Sequence, residues 1–349
     1  MTSTDPAYSA DQADGAILLH HASSMDGFSW FTGPDSAESL PSKLIKEGFD
    51  VWLSNDRGTR NSQRHKTLDP VKDAEKFFDY SWAEIGTNDI PANLNYVKDH
   101  ASGKQVVFLG FGEGATAILY ALSKTDKALY FKHFLDDVVL MAPCLYLDPP
   151  MFKHEGMEPV SMAEGLYRSY EMIFDRYEQV GVHVYNGPSK EADARKLCHI
   201  FGKRNPECLR TQNPAGYGQP FSVKMQKHSQ QNMIEGRFQE YSDTYAKYGV
   251  KNTNRARKTD KIDLTDVENI APIHIFLAGD DLVCPVNVFS LLEQFKYPQP
   301  PVHTYEDWSH NDFVTGEHLD RLVTDIKKVT LERRRKEGDQ QFKDLYQEL

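Results

Sequence analysis

Six short, unbroken apolar runs constrain the fold of this 349-residue chain more than any other feature. They are AILLH (Ala16–His20), FDVWLS (Phe49–Ser54), QVVFLG (Gln105–Gly110), DVVLMA (Asp137–Ala142), IHIFLA (Ile273–Ala278) and PVHTYE (Pro301–Glu306). A strand with one face in water alternates apolar and polar residues. These runs are continuous, so both faces must be covered, as in a mainly parallel sheet between helices. Parallel neighbours need crossover segments, and DIPANLNYVKDHASG (Asp89–Gly103) has the spacing of one: Ile90, Leu94 and Val97 share a face and a glycine closes it. The expected class is α/β, a doubly wound, mainly parallel sheet.

Between Pro149 and about Asp266 no comparable run occurs, and a stretch of that length is too long for a loop. The expected organisation is therefore a polar tail (1–14), a core in two parts (15–148 and 266–330), a mostly helical cap inserted between them (149–265) and a charged extension (331–349). Within the cap, SMAEGLYRSYEMIFDRYEQVG has helical spacing and a stripe of methionine and aromatics, which reads as packing first and as an apolar ligand surface second. The extension, LERRRKEGDQQFKDLYQEL, carries a sparse apolar edge of Leu331, Phe342, Leu345 and Leu349. It reads as a solvated helix, with a docking helix for another chain as the alternative.

A net charge of −11 and the lack of any arginine-rich or aromatic-interleaved stripe argue against nucleic-acid binding. No run approaches the ~18 uninterrupted apolar residues of a membrane span. The segment MTSTDPAYSADQAD has neither a secretory apolar run nor transit-peptide arginines, so an intracellular location is expected, in the cytoplasm or within an organelle or cytoskeletal assembly. Cys144, Cys198, Cys208 and Cys284 show no CxxC or nearby His pair and are read as reduced thiols rather than ligands or bridges. No cofactor or metal is expected.

The chemistry-bearing feature is VVFLGFGEGATAILYAL (Val106–Leu122), a strand that enters a helix through a glycine-rich turn. In the α/β-hydrolase design the nucleophile stands on such a strained turn, G-x-S-x-G. GFGEG supplies the outer glycines, Gly110 and Gly114, with Gly112 at the centre. An acidic residue after a late strand, Asp281 in FLAGDDLVCP, and a histidine after the last, His310 in YEDWSHNDF, follow in the expected chain order. Both lie past the carboxyl ends of strands, where α/β sites form.

At these residues the chain resembles the acid lipase family, the gastric and lysosomal lipases of the α/β-hydrolase fold. GFDVWLSNDRG (Gly48–Gly58) is similar to the family's GYDVWLGNSRG, and DYSWAEIGTNDIPANLNYV (Asp79–Val97) to its F-S-F-D-E-M-A-x-Y-D-L-P-A stretch. NPAG (Asn213–Gly216), FLAGDDLV and WSHNDF match further segments in order, from about Gly15 to Thr330. The resemblance implies that Asp281 is the triad acid, His310 the triad base and Gly112 the position of the family's nucleophilic serine. It puts the oxyanion-hole N–H groups at Ser23 and Glu113, and it marks Ala22 and Glu113 as departures from a family glycine and glutamine.

Glycine cannot be a nucleophile, so no acyl-enzyme can form at residue 112. A carboxylate at Glu113, if turned inward, would oppose a developing oxyanion; the sequence leaves its direction open. Ser23, Ser24 and Ser309 read as loop and capping residues, and Cys144 or Cys284 could substitute only with a displaced His310. Asp281 and His310 then read as a buried pair ordering two loops, with a catalytic role as the alternative. His20 and His21 are expected to shape the loop beneath the cap, and Arg57 to pair with a carboxylate. The leading expectation is a catalytically inactive, lipase-like protein serving as a structural or interaction subunit of an intracellular assembly, through its cap or its extension. The alternatives are a protein that binds an acyl lipid or steryl ester, and an ester hydrolase with a non-standard nucleophile or an activated water.

Overall fold

The computed structural model describes residues 15–33, 35–101, 105–146, 184–185, 219–242, 259–281, 283–316 and 318–330. The expected polar tail, the Met and aromatic stripe, NPAG, Cys198, Cys208 and the charged extension lie outside these residues.

The six apolar runs all become strands: β1 (Ala16–His20), β2 (Asp50–Leu53), β3 (Val106–Phe111), β4 (Leu135–Met141), then β7 (Ile273–Ala278) and β8 (Val302–Tyr305). They pair in the order β2-β1-β3-β4-β7-β8, every neighbour parallel. Alternate residues of each strand serve opposite layers, which is why the runs are unbroken. Leu18, Phe108, Val138 and Leu140 pack with Trp82, Ile90, Leu94, Ile118 and Leu122. Ile17, Leu19, Val107, Leu109 and Val139 pack on the other face with Leu40, Leu44, Leu322 and Ile326.

Ile90, Leu94 and Val97 are the buried face of the crossover helix Ile90–His100, as their spacing predicts. The helical path starts earlier than expected, at Trp82, and passes through a π turn over Ile85–Asp89. Ser81 begins it with a capping box, its hydroxyl accepting the Ala83 N–H at 3.1 Å while the Glu84 carboxylate accepts the Ser81 N–H.

The segment between the two core parts also contributes strands. β5 (Val184–Tyr185) pairs antiparallel with β6 (Phe221–Ser222), and a helix, Val223–Glu235, follows directly. Two residues per strand is too short for a periodicity signal, so this pair was not legible as sequence. Among the described residues no helix is long and apolar enough to cross a membrane.

Candidate functional site

The site stands at the carboxyl edge of the central strands. β3 ends in a sharp turn at Gly112 (φ 56, ψ −119) and the helix Glu113–Leu122 begins on the next residue. The turn is anchored on both sides. Gly112 donates its N–H to the Met141 carbonyl at 2.9 Å, and its own carbonyl accepts the N–H groups of Ala115 and Thr116. The outer glycines answer a packing need: a Cβ on Gly110 would stand 2.9 Å from the Ala115 backbone, and one on Gly114 would stand 2.6 Å from the His21 carbonyl oxygen.

Loops after β7 and β8 bring Asp281 and His310 together, with Nδ1 2.8 Å from the carboxylate. Since a carboxylate only accepts here, Nδ1 carries the proton and the Nε2 lone pair is left free. The other Asp281 oxygen accepts the N–H groups of Val283 and Cys284, at 2.9 and 2.8 Å, so the carboxylate also ties its own loop. Phe111, 4.7 Å away between ring centroids, backs the imidazole. Nε2 faces the elbow: a Cβ on Gly112 would lie 3.4 Å from it, 3.7 Å from Cys144 Sγ and only 2.9 Å from the Ala22 methyl.

Glu113 turns inward. Its side chain is buried, and Oε2 accepts the Ser23 N–H at 3.2 Å. The direction that the sequence left open is thus resolved: a carboxylate takes the backbone donor at one of the two positions where oxyanion donors were expected. Ser309 has a local role, its N–H bonded to the Asp312 carboxylate at 2.6 Å. Ser23, Ser24 and Glu113 share a narrow cleft with a cavity volume of about 20 Å³, room for about one water molecule, with Met25, Ile85 and Met225 among its lining.

Two sequence expectations about cysteine are corrected. Cys144 and Cys284, 140 residues apart, form a disulfide and are not separate reduced thiols. Spacing along the chain cannot reveal a pair that meets only because β4 and β7 are adjacent. Nor is His310 displaced from them: it offers a ring nitrogen within 4.8 Å of both sulfurs while keeping its bond to Asp281.

His20 and His21 lie on the floor of the site. His20 Nε2 is 2.9 Å from Asp56 Oδ1, an ion contact off the direction of a hydrogen bond. Burial pulls the His20 pKa down, but the Asp56 carboxylate and local hydrogen bonds outweigh it and hold it above the usual value. His21, for which burial wins, is pushed down, and its Nε2 accepts the Asp56 N–H at 3.1 Å. Arg57 finds the carboxylate of Asp89, at 2.8 Å from Nε and 2.7 Å from Nη2. Its carbonyl accepts the Tyr80 hydroxyl, so this loop is held by the segment that leads into the crossover helix, at Tyr80 and at Asp89.

The parallel sheet, the elbow and the loops after the late strands define an α/β-hydrolase. Solved structures agree at the level of fold: the chain resembles a thermophilic esterase from Thermogutta terrifontis (TM-score 0.51, 14% identity, covering 92% of this chain and 90% of that one). An esterase from Exiguobacterium antarcticum is similar too (TM-score 0.50, 12% identity, 91% and 92%). Compared with models of known protein families, the chain matches none. Individual relatives are more specific. It is 34% identical over 317 residues to lipase member M of Mus musculus, covering 86% of this chain and 71% of that one. Over 315 residues it is 27% identical to the Homo sapiens lysosomal acid lipase/cholesteryl ester hydrolase, covering 86% and 75%. The chain belongs to the acid lipase family of α/β-hydrolases.

Proposed function

We propose that this member of the family is catalytically silent, with Gly112 at the position of the lost nucleophilic serine and Asp281 and His310 as a retained acid–base pair. The reading is carried by one observation: the residue in front of the free His310 nitrogen has no side chain. The inward Glu113 supports it, since a carboxylate on the Ser23 N–H competes with any substrate oxyanion for that donor. A fold kept without its nucleophile is suited to a structural or interaction role, which we assign to an intracellular assembly. Fluorophosphonate labelling of the full chain tests the silence, with no modified serine expected; covalent labelling in the cleft would sink the reading. Affinity purification from cells tests the assembly. A stoichiometric protein neighbour is expected, and a chain that sediments alone counts against the assignment.

A second reading, in which an acyl chain or steryl ester is held and not hydrolysed, takes its support from the lipase relatives, since the cleft itself has a cavity volume of only about 20 Å³. Mass spectrometry of lipids extracted from the purified protein separates the two, since a silent scaffold carries none.

A further inference from the structure

We propose that Cys144, Cys284 and His310 form a metal site which, with the two thiols reduced, holds a soft or borderline divalent cation, zinc foremost. Their donor atoms all lie within 4.8 Å of one another and all three residues are buried. The set is two sulfurs and one imidazole nitrogen, the chemistry that selects zinc over magnesium or calcium. Two cysteines and one histidine leave the fourth tetrahedral position open to water or an anion, as in the catalytic class of zinc sites.

Two independent features build the site. The first is the outer shell. Asp281 takes the Nδ1 proton of His310 at 2.8 Å, which fixes the tautomer and aims the Nε2 lone pair away from the carboxylate; a ligating histidine is held in this way. The same carboxylate binds the Cys284 N–H at 2.8 Å, so one group positions two of the three ligands. The second is convergence. Cys144 Sγ and His310 Nε2 both border the elbow, 3.7 and 3.4 Å from where a Cβ on Gly112 would stand, a point that the Ala22 methyl crowds at 2.9 Å, so the place for an ion is among the three donor atoms themselves.

In the oxidised form the sulfurs bond each other and cannot both ligate. A dithiol reductant cleaves that bond and becomes a disulfide itself, leaving Cys144 and Cys284 as thiols. Each then releases its proton to solvent as it binds the cation as a thiolate. Rotation about the cysteine Cα–Cβ bonds brings the sulfurs to the roughly 3.8 Å that two thiolates keep on one tetrahedral zinc with bonds of about 2.3 Å. A reducing compartment favours this form. The site does not depend on the missing hydrolysis: a bound cation that turned over esters would overturn the proposed function and leave the metal site standing.

The full chain is reduced with a dithiol, freed of reductant under argon and titrated with Co²⁺, then with Zn²⁺. The expected result is a thiolate-to-cobalt charge-transfer band that saturates at one cobalt per chain, is bleached by zinc and is missing from the oxidised protein. Cys284→Ser should weaken zinc by at least roughly 100-fold, and Asp281→Asn, which alters only the outer shell, by about 10- to 100-fold. His310→Gln serves in place of Cys284→Ser if that variant loses its circular dichroism. A Cys198→Ser/Cys208→Ser chain should keep the band. No band after reduction, a band kept by Cys284→Ser, or a disulfide that opens only on unfolding would each overturn the proposal.

Discussion

Restoring a serine at residue 112 should cost stability, and part of that cost should vanish when Ala22 is trimmed. Gly112 sits at φ 56, where an L side chain is strained by about 1 to 3 kcal/mol. Its Cβ would also stand 2.9 Å from the Ala22 methyl, and overpacking of this kind adds roughly 1 to 3 kcal/mol. Gly112→Ser alone should therefore destabilise by about 2 to 6 kcal/mol. In an Ala22→Gly background the second contribution disappears, so a double-mutant cycle in urea should return a coupling of about 1 to 3 kcal/mol. Chemistry should follow the same geometry. The new hydroxyl would face His310 Nε2, but Glu113 still holds the Ser23 N–H. Adding Glu113→Gln removes the negative charge beside the oxyanion position and leaves only a neutral amide oxygen to compete for the Ser23 N–H, which should raise ester turnover, or the rate of fluorophosphonate labelling, by about 10² to 10³ over the Ala22→Gly/Gly112→Ser chain. Additive stabilities would refute the steric argument. A folded triple variant that neither labels nor turns over would refute the assignment of Gly112 as the lost nucleophile position.

Asp281→Ala should lower stability by roughly 3 kcal/mol in urea, because it strips the acceptor from His310 and from two backbone N–H groups at once; Asp281→Asn, which keeps an oxygen for the backbone pair, should cost less. His228 is buried, stacked 3.8 Å from Trp82, and donates from Nε2 to the Gln239 carbonyl; burial pushes its pKa down to about 3. The unfolded chain takes up that proton near the ordinary value of 6.5, so stability present above this pH is lost progressively as pH falls toward about 3. The loss between about pH 7 and about pH 5 should be about 2 kcal/mol, and His228→Gln should flatten that part of the urea-midpoint profile. Arg57→Met should cost about 1 to 2 kcal/mol, the half-exposed guanidinium being partly screened. Burial already raises the Asp89 carboxyl, so without its partner the folded form holds a proton more tightly than the unfolded one. Thermal melts should therefore show a larger loss at about pH 8 than at about pH 5.

The sequence by itself determined the layers and the order of the site. Unbroken apolar runs have one economical solution, a covered parallel sheet, and β1 and β7 form over the very residues of their runs. Gly110, Gly112 and Gly114 marked the elbow because only small residues tolerate such close backbone approaches, and Asp281 and His310 were legible from their places after late strands. What only tertiary structure decided is what meets whom across the sheet. The inward turn of Glu113 depends on the Ser23 N–H, 90 residues away. The competition between Ala22 and a side chain at residue 112 depends on β1 lying beside β3. Cys144 joins Cys284 beside His310 because β4 and β7 are neighbours, a relation that no spacing along the chain encodes. Local patterns report which face of a strand is buried; strand order alone fixes which loops share an edge.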